Sequence, residues 1–394
     1  MNYRRFGRTG LDMPVFSCGG MRYQSSWKDE DLSTIQEDNQ RNLEATIHRA
    51  LELGINHIET ARGYGTSELQ LGLVLPSLDR DRLIVQTKVA PNQDPAKFLE
   101  TFELSMQRLQ LEHVDLLSFH GVNTEEILDW VIRPGGCLET ARQLQREGRV
   151  RFLGFSTHGP TRTIRRAINT GEFDYLNLHW YWINQSNWPA IEDATRLDMG
   201  VFIISPNDKG GKLYAPPPKL AELCQPLAPM EFNNLFCLLR PEVHTLSVGA
   251  SCPGDFDLHV RSLERLDEAP TLVPEIDLRL QTALSDDLGA DWWQRWQEGI
   301  PEWEQIPGDI NVWEILRLWN VAKGLDMVDF ANMRYNLLGN GGHWFPGLNA
   351  ESFDEEALRA ALSASPFCDQ IPEILREAHT LLFEAPKKRL SEGD

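Results

Sequence analysis

Glu59, Tyr64, Lys88 and His120 offer a carboxylate, a phenol, an amine and an imidazole, each at or just beyond the end of a short apolar run. Together they suit one kind of chemistry: delivering a proton to an oxygen that is gaining negative charge. A free phenol titrates at pH ~10 and is a reluctant donor. An ammonium beside it stabilises the phenolate, and a carboxylate holds the amine in place. A neutral imidazole can orient and polarise a carbonyl oxygen. Singly, each residue has a plainer explanation, as a hydrogen-bonded strand-end histidine, a solvated lysine, a loop tyrosine or a neutralising glutamate. Joint occurrence at three consecutive strand ends raises the set above those.

Such a set needs a scaffold, and the surrounding pattern supplies one. Short apolar runs at 13–18, 57–61, 83–89, 114–120, 150–156, 175–181, 201–205 and 245–249 alternate with longer amphipathic stretches. The runs are rich in Val, Ile, Leu and Phe, as strands buried on both faces are. Helical spacing fills the intervals, with Leu43, Ile47, Ala50 and Leu51 along one side of 42–53 and Phe98, Phe102 and Met106 along 98–109. Gly54, Gly148 and Gly200 read as helix stops before the next strand. Eight such units in roughly 250 residues predict an α/β fold, a closed (β/α)8 TIM barrel, with function at the carboxyl ends of its strands. An open doubly wound sheet would carry a G-x-G-x-x-G turn after its first strand, and Gly19-Gly20 lacks that spacing. Residues 3–6 and the segment around Leu11, parted by Arg8-Thr9-Gly10, predict a small hairpin at the barrel's bottom.

Past residue 267 the character changes. Ala269-Pro270 and Pro274 mark a joint, 275–284 resumes as a helix, and Gly- and Trp-rich loops follow. The expected organisation is a barrel over 1–270 and a mostly helical C-terminal module over 271–394. A net charge of −20 over 394 residues argues against nucleic acid or an anionic membrane as the main partner. No stretch approaches the length of a membrane span. Cysteines at 18, 137, 224, 237, 252 and 368 show no C-x-x-C spacing, which suits free thiols in a cytoplasmic protein.

The residues quoted above also resemble a known family, the aldo-keto reductases. Tyr3-Arg4-Arg5-Phe6-Gly7-Arg8-Thr9-Gly10-Leu11 looks like that family's opening hairpin, and 58–68 is similar to its Asp-Thr-Ala-x-x-Tyr-Gly-x-Ser-Glu signature. The resemblance implies NAD(P)H-dependent reduction of an aldehyde or ketone. Tyr64 would be the general acid, Lys88 its partner, His120 the substrate orienter, and Glu59 would stand where the family has aspartate. It implies cofactor contacts from Gly20 and Met21 after the first strand, Ser156 and Thr157 after the fifth, and Asn177 on the sixth. Ser205, Lys209, Gly210 and Gly211 after the seventh strand, and Gly249 and Ser251 after the eighth, complete that set. The resemblance makes NADPH the first expectation; NADH is the second, since Cys252-Pro253-Gly254-Asp255 holds no basic residue for a 2′-phosphate and an aspartate would repel one.

The tail resembles the ferredoxin-like extension of one branch of the family, at 306–316 and 368–375. A four-iron cluster needs four thiolates, and Cys368 is the only cysteine after residue 270, so neither an iron–sulfur cluster nor a metal is expected. Seven of the twelve tryptophans fall between 292 and 344, and packing is the expected use for them. The alternative is a weakly or non-catalytic nicotinamide-binding redox sensor that docks a protein partner through this Trp-rich tail.

Overall fold

The hairpin and the apolar runs take shape as strands in a computed structural model that describes residues 1–386. Strands β1 (Tyr3–Arg5) and β2 (Asp12–Pro14) pair antiparallel, with Arg4 opposite Met13. Eight more follow: β3 (Phe16–Gly19), β4 (His57–Glu59), β5 (Ile84–Val89), β6 (Val114–His120), β7 (Val150–Ser156), β8 (Tyr175–Leu178), β9 (Gly200–Ile203) and β10 (Thr245–Val248). They form a closed parallel barrel in the order β10-β3-β4-β5-β6-β7-β8-β9. Helices α1 (Glu37–Glu52), α2 (Ser67–Leu71), α3 (Pro95–Leu109), α4 (Glu125–Ile132), α5 (Cys137–Arg146), α6 (Thr161–Asn169) and α7 (Trp188–Arg196) alternate with the strands. The predicted TIM barrel is the observed one.

Two local expectations need correction. The run at 13–18 is not one strand: Met13 belongs to the hairpin and the barrel strand begins at Phe16. Gly200 stops no helix. The left-handed turn after α7 falls on Asp198 (φ 52°), whereas Gly200 opens β9. A Cβ on Gly200 would lie 2.6 Å from the Phe6 ring, so glycine is there for packing. Phe6 itself is buried with Met13, Ile84, Leu116, Tyr175 and Phe202, which seals the bottom of the barrel.

By its internal contacts the chain divides into two units, one of residues 1–210 with 233–269, the other of 211–232 with 270 onward. The first contains the barrel, the latter part of α9 (Pro229–Leu238) and α10 (Asp255–Leu263). The second begins with α8 (Pro218–Leu223) and resumes along α11 (Ala269–Leu288), which carries Pro274 in its interior and so runs straight through the expected joint. Within it α12 (Ala290–Arg295), α14 (Val328–Tyr335) and α16 (Ile371–Leu382) meet α13 (Val312–Leu325), which is buried on nearly every side, and α15 (Glu355–Ala361) packs against α16. That all-round burial is why α13 shows no clean apolar stripe. Trp292 packs edge-on against Trp319 and Phe367, and Trp296 lies against Trp313.

Candidate active site

Glu59 ends β4, Lys88 lies one residue before the end of β5, and His120 ends β6, so three adjacent strands aim them at one rim. Backbone pairing continues past the strands, with Thr60 N donating to Gln86 O at 2.8 Å and Arg62 N to Lys88 O at 2.9 Å. The chain then turns, Tyr64 N donating to Ala61 O at 3.0 Å, and this brings the phenol back over β5. Gly65 makes the turn: its φ is 52°, and a Cβ there would stand 1.9 Å from Ser26 O. Only glycine tolerates both demands.

The side chains meet as their chemistry requires. Lys88 Nζ pairs with Glu59 Oε1, donates to Thr60 O at 2.9 Å and reaches Tyr64 Oη at 3.3 Å. The Tyr64 and His120 rings stand edge to face, centroids 5.7 Å apart at 84°, and Trp27 flanks Tyr64 on another side at 6.3 Å. Glu59 and Lys88 are buried, while Tyr64 is half-buried. The longer glutamate fits because Gly19 leaves space beside it, where a Cβ would lie 3.2 Å from Glu59 Oε2 and 2.6 Å from Ser247 Oγ.

Burial raises the Tyr64 phenol above its ordinary value, which keeps it protonated and able to donate. Burial also drives Lys88 well below the ordinary lysine value. The Glu59 carboxylate in contact with it works in the opposite direction and favours the ammonium. Together they make the charge on Lys88 depend on Glu59.

Around this centre the other residues singled out in the sequence take varied positions. Gly20 and Met21 follow β3, and Gly20 N donates to Glu59 O at 2.7 Å. Ser156 ends β7 and its hydroxyl accepts from Gly121 N at 3.1 Å; Thr157 donates to Val122 O at 2.8 Å. Asn177 is buried in β8, with its Nδ2 lacking any acceptor. Ser205 has φ 52° after β9, and Lys209 Nζ lies 3.3 Å from His158 Nδ1. Gly210 is the last residue of the first unit's long segment, and Gly211 opens the second unit. Gly249 follows β10, and Ser251 is held by Asp255, whose Oδ2 accepts from both its N and Oγ at 2.7 Å.

Some functional neighbours escaped sequence reasoning. Arg62 pairs with Asp29 and with Glu68, 3.1 Å away. Thr87 donates to Glu68 at 2.6 Å, so this hydrogen bond ties α2 to β5 beside the site. Trp27 sits in a long loop with no periodicity to mark it. The buried set of Gln86, His57 and Ser118 beneath Lys88 was legible only as strand residues. Its sign was a glutamine and a histidine at inward positions of otherwise apolar runs.

Comparison with known proteins finds one matching family model and solved structures of similar fold. Residues 16–184 match the model of the Aldo/keto reductase family. L-glyceraldehyde 3-phosphate reductase of Escherichia coli strain K12 is 27% identical over 240 residues, 53% of this chain and 62% of that protein. The NADH-specific methylglyoxal reductase of the same strain is 27% identical over 188 residues, 42% of this chain and 56% of that protein. The chain thus spans less than two thirds of the length of these curated relatives. Among solved structures, the holo form of the aldo-keto reductase AKR11C1 from Bacillus halodurans superposes with a TM-score of 0.57 at 20% identity, over 69% of this chain and 96% of that one.

Proposed function

We propose that this chain, a member of the aldo/keto reductase family, transfers hydride between a nicotinamide cofactor and the carbonyl of an aldehyde or ketone, with Tyr64 as general acid. One observation carries the reading: Lys88 Nζ stands 3.3 Å from Tyr64 Oη while paired with the buried Glu59. The bound nicotinamide supplies the hydride. The chain's own residues handle the proton. Tyr64 donates it to the carbonyl oxygen as negative charge develops there, and the Lys88 ammonium stabilises the phenolate left behind. Glu59 keeps that amine charged in a buried setting, and His120, edge-on to Tyr64, orients the oxygen. In the oxidative direction the same phenolate takes the proton back.

The residues present fit a nicotinamide. Asn177 Nδ2 is a buried donor still lacking an acceptor, as a contact to a carboxamide requires. Ser156 at the end of the neighbouring strand and Thr157 just beyond it, Gly20 and Met21, and the loops at 205–210 and 249–251 would hold the remainder, with Lys209 as a phosphate cation. The family resemblance favours NADPH. Against that, burial raises the Asp255 carboxyl but hydrogen bonds from Ser251 and Cys252 outweigh it and hold the group below the usual carboxylate range. A fixed anion after β10 opposes a 2′-phosphate, so we assign NADH as the preferred cofactor and NADPH as the weaker one.

The C-terminal unit reads as a ferredoxin-like extension without cluster ligands, its volume filled by aromatic packing. Trp292, Trp296 and Trp319 are buried within it, which supports packing over the docking of a protein partner.

A steady-state assay over a panel of reactive aldehydes, run with NADH and with NADPH, tests the reading. Turnover is expected in the wild type with NADH ahead, and Tyr64→Phe should bind cofactor yet lose about 10²-fold or more in rate. Cofactor binding with no turnover of any aldehyde would favour the redox-sensing alternative.

A further inference from the structure

Below the Glu59–Lys88 pair lies a second polar layer that the proton chemistry does not use. His57 and Gln86 each precede those residues by two positions on the same strands and therefore share their face of the sheet. Thr245 Oγ1 and Ser17 Oγ are 2.7 Å apart, and Ser17 Oγ lies 2.6 Å from His57 Nδ1. His57 Nε2 is 3.1 Å from Gln86 Oε1, and Gln86 Nε2 donates to Ser118 Oγ at 2.9 Å and to Asn177 Oδ1 at 3.3 Å. All six residues are buried.

Chemistry fixes the direction of this chain. The amide oxygen of Gln86 can only accept, so His57 Nε2 carries the proton. Burial holds the His57 imidazole down at about 3, so it is neutral at ordinary pH and its Nδ1 accepts from Ser17. With that hydroxyl committed, Thr245 donates to Ser17. Every donor from β10 through β3, β4 and β5 thus points toward β8, and the Asn177 oxygen is the terminal acceptor. Asn177 Nδ2 is left buried with no acceptor, an uncommon state for a buried N–H.

We infer that Gln86 is a positioning residue: it fixes the Asn177 amide so that Nδ2 is the atom offered to a ligand, and the matching ligand group is the carboxamide oxygen of a nicotinamide. The inference rests on the cofactor reading above. Without Gln86 the amide is free to turn over and present its oxygen, which repels a carbonyl. Gln86 therefore acts on cofactor recognition through Asn177, without touching the cofactor.

Equilibrium binding without substrate tests this, with NADH and its thionicotinamide analogue as probes. In the analogue a sulfur, a poor acceptor, replaces the oxygen. Wild type should bind NADH about three- to tenfold more tightly than the thioamide, the worth of one hydrogen bond. Asn177→Ala and Gln86→Met should both bring that ratio near one, although only the first removes the donor. If Asn177→Ala abolishes the preference while Gln86→Met only weakens both nucleotides equally, Gln86 is merely structural and the inference fails with the cofactor reading intact. Equal binding in the wild type overturns the assignment of Asn177 as donor. Binding of neither nucleotide overturns the cofactor reading and the inference with it. Gln86→Glu covers the case where Gln86→Met does not fold. Its isosteric carboxylate keeps the His57 and Ser118 partners and accepts a hydrogen bond from Asn177 Nδ2, so the preference should vanish; a retained preference contradicts the inference.

Discussion

At the scale of single residues the site turns on the charge of one buried amine. In the proposed mechanism Lys88 helps Tyr64 only as an ammonium, and burial works against that form. Glu59 is the counterweight, and the space beside Gly19 lets it reach although it is one methylene longer than an aspartate. Removing half of a buried ion pair typically costs about 3–5 kcal/mol unless the remaining group neutralises. Glu59→Gln should therefore lower the melting temperature and let Lys88 lose its proton. A base whose value is depressed regains its proton as pH falls, so activity of this variant should recover toward acidic pH. Its alkaline limb should lie well below the wild type's in a pH–rate profile; coincident limbs would show that Glu59 does not set the amine's charge. Glu59, Tyr64, Lys88 and His120 were all legible because each breaks an apolar run or signature turn. Trp27 and the Arg62–Asp29–Glu68 cluster were not, since their partners are distant in sequence and no local pattern encodes the meeting.

Elements position this centre through register. Glu59 lies opposite Gln86 across β4 and β5, and Lys88 lies opposite Ser118 across β5 and β6, so inward residues stack in layers up the barrel. The bottom layer is apolar and includes Phe6 from just beyond the hairpin strand β1. Truncating a fully buried phenylalanine typically costs about 3–5 kcal/mol. Phe6→Ala should lose that much stability in denaturant unfolding, while kcat of the remaining folded protein stays close to wild type, because the site is at the opposite end. A matching loss of kcat would mean that the hairpin communicates with the rim. Strand positions were readable from apolar runs to within a few residues. The split at Val15 was not, because hairpin and barrel strand form one unbroken apolar run. Gly200 misled for a related reason. A glycine near a helix end suggests a stop, yet this one yields space to Phe6.

For the whole molecule, three histidines of the barrel unit, His57 and His259 buried and His244 partly so, give stability a defined pH dependence. His57 is held at about 3, and His244 and His259 at about 4, all chiefly by burial. The unfolded chain binds these protons from pH ~6.5 downward, so it holds more protons than the native state there. Stability from these groups is complete above that pH and falls as pH drops, by up to about 1.4 kcal/mol per histidine per unit. Glu68, whose carboxyl burial raises, acts in the opposite sense but is one group against three. Melting temperature should fall between pH 6.5 and 4.5, and a flat profile would contradict the neutral state of these rings. At this scale the sequence was least informative about residues 211–232, whose grouping with the C-terminal helices depends on long-range packing. The most direct test of the account is isotopic. With NADH deuterated at C4 and a reactive aldehyde, the wild type should deliver deuterium to the carbinol carbon of the product alcohol. Tyr64→Phe should bind the same cofactor and deliver almost none. Cofactor oxidation without label in the alcohol, or undiminished transfer in Tyr64→Phe, would contradict a hydride-transfer site centred on Tyr64, Lys88 and Glu59.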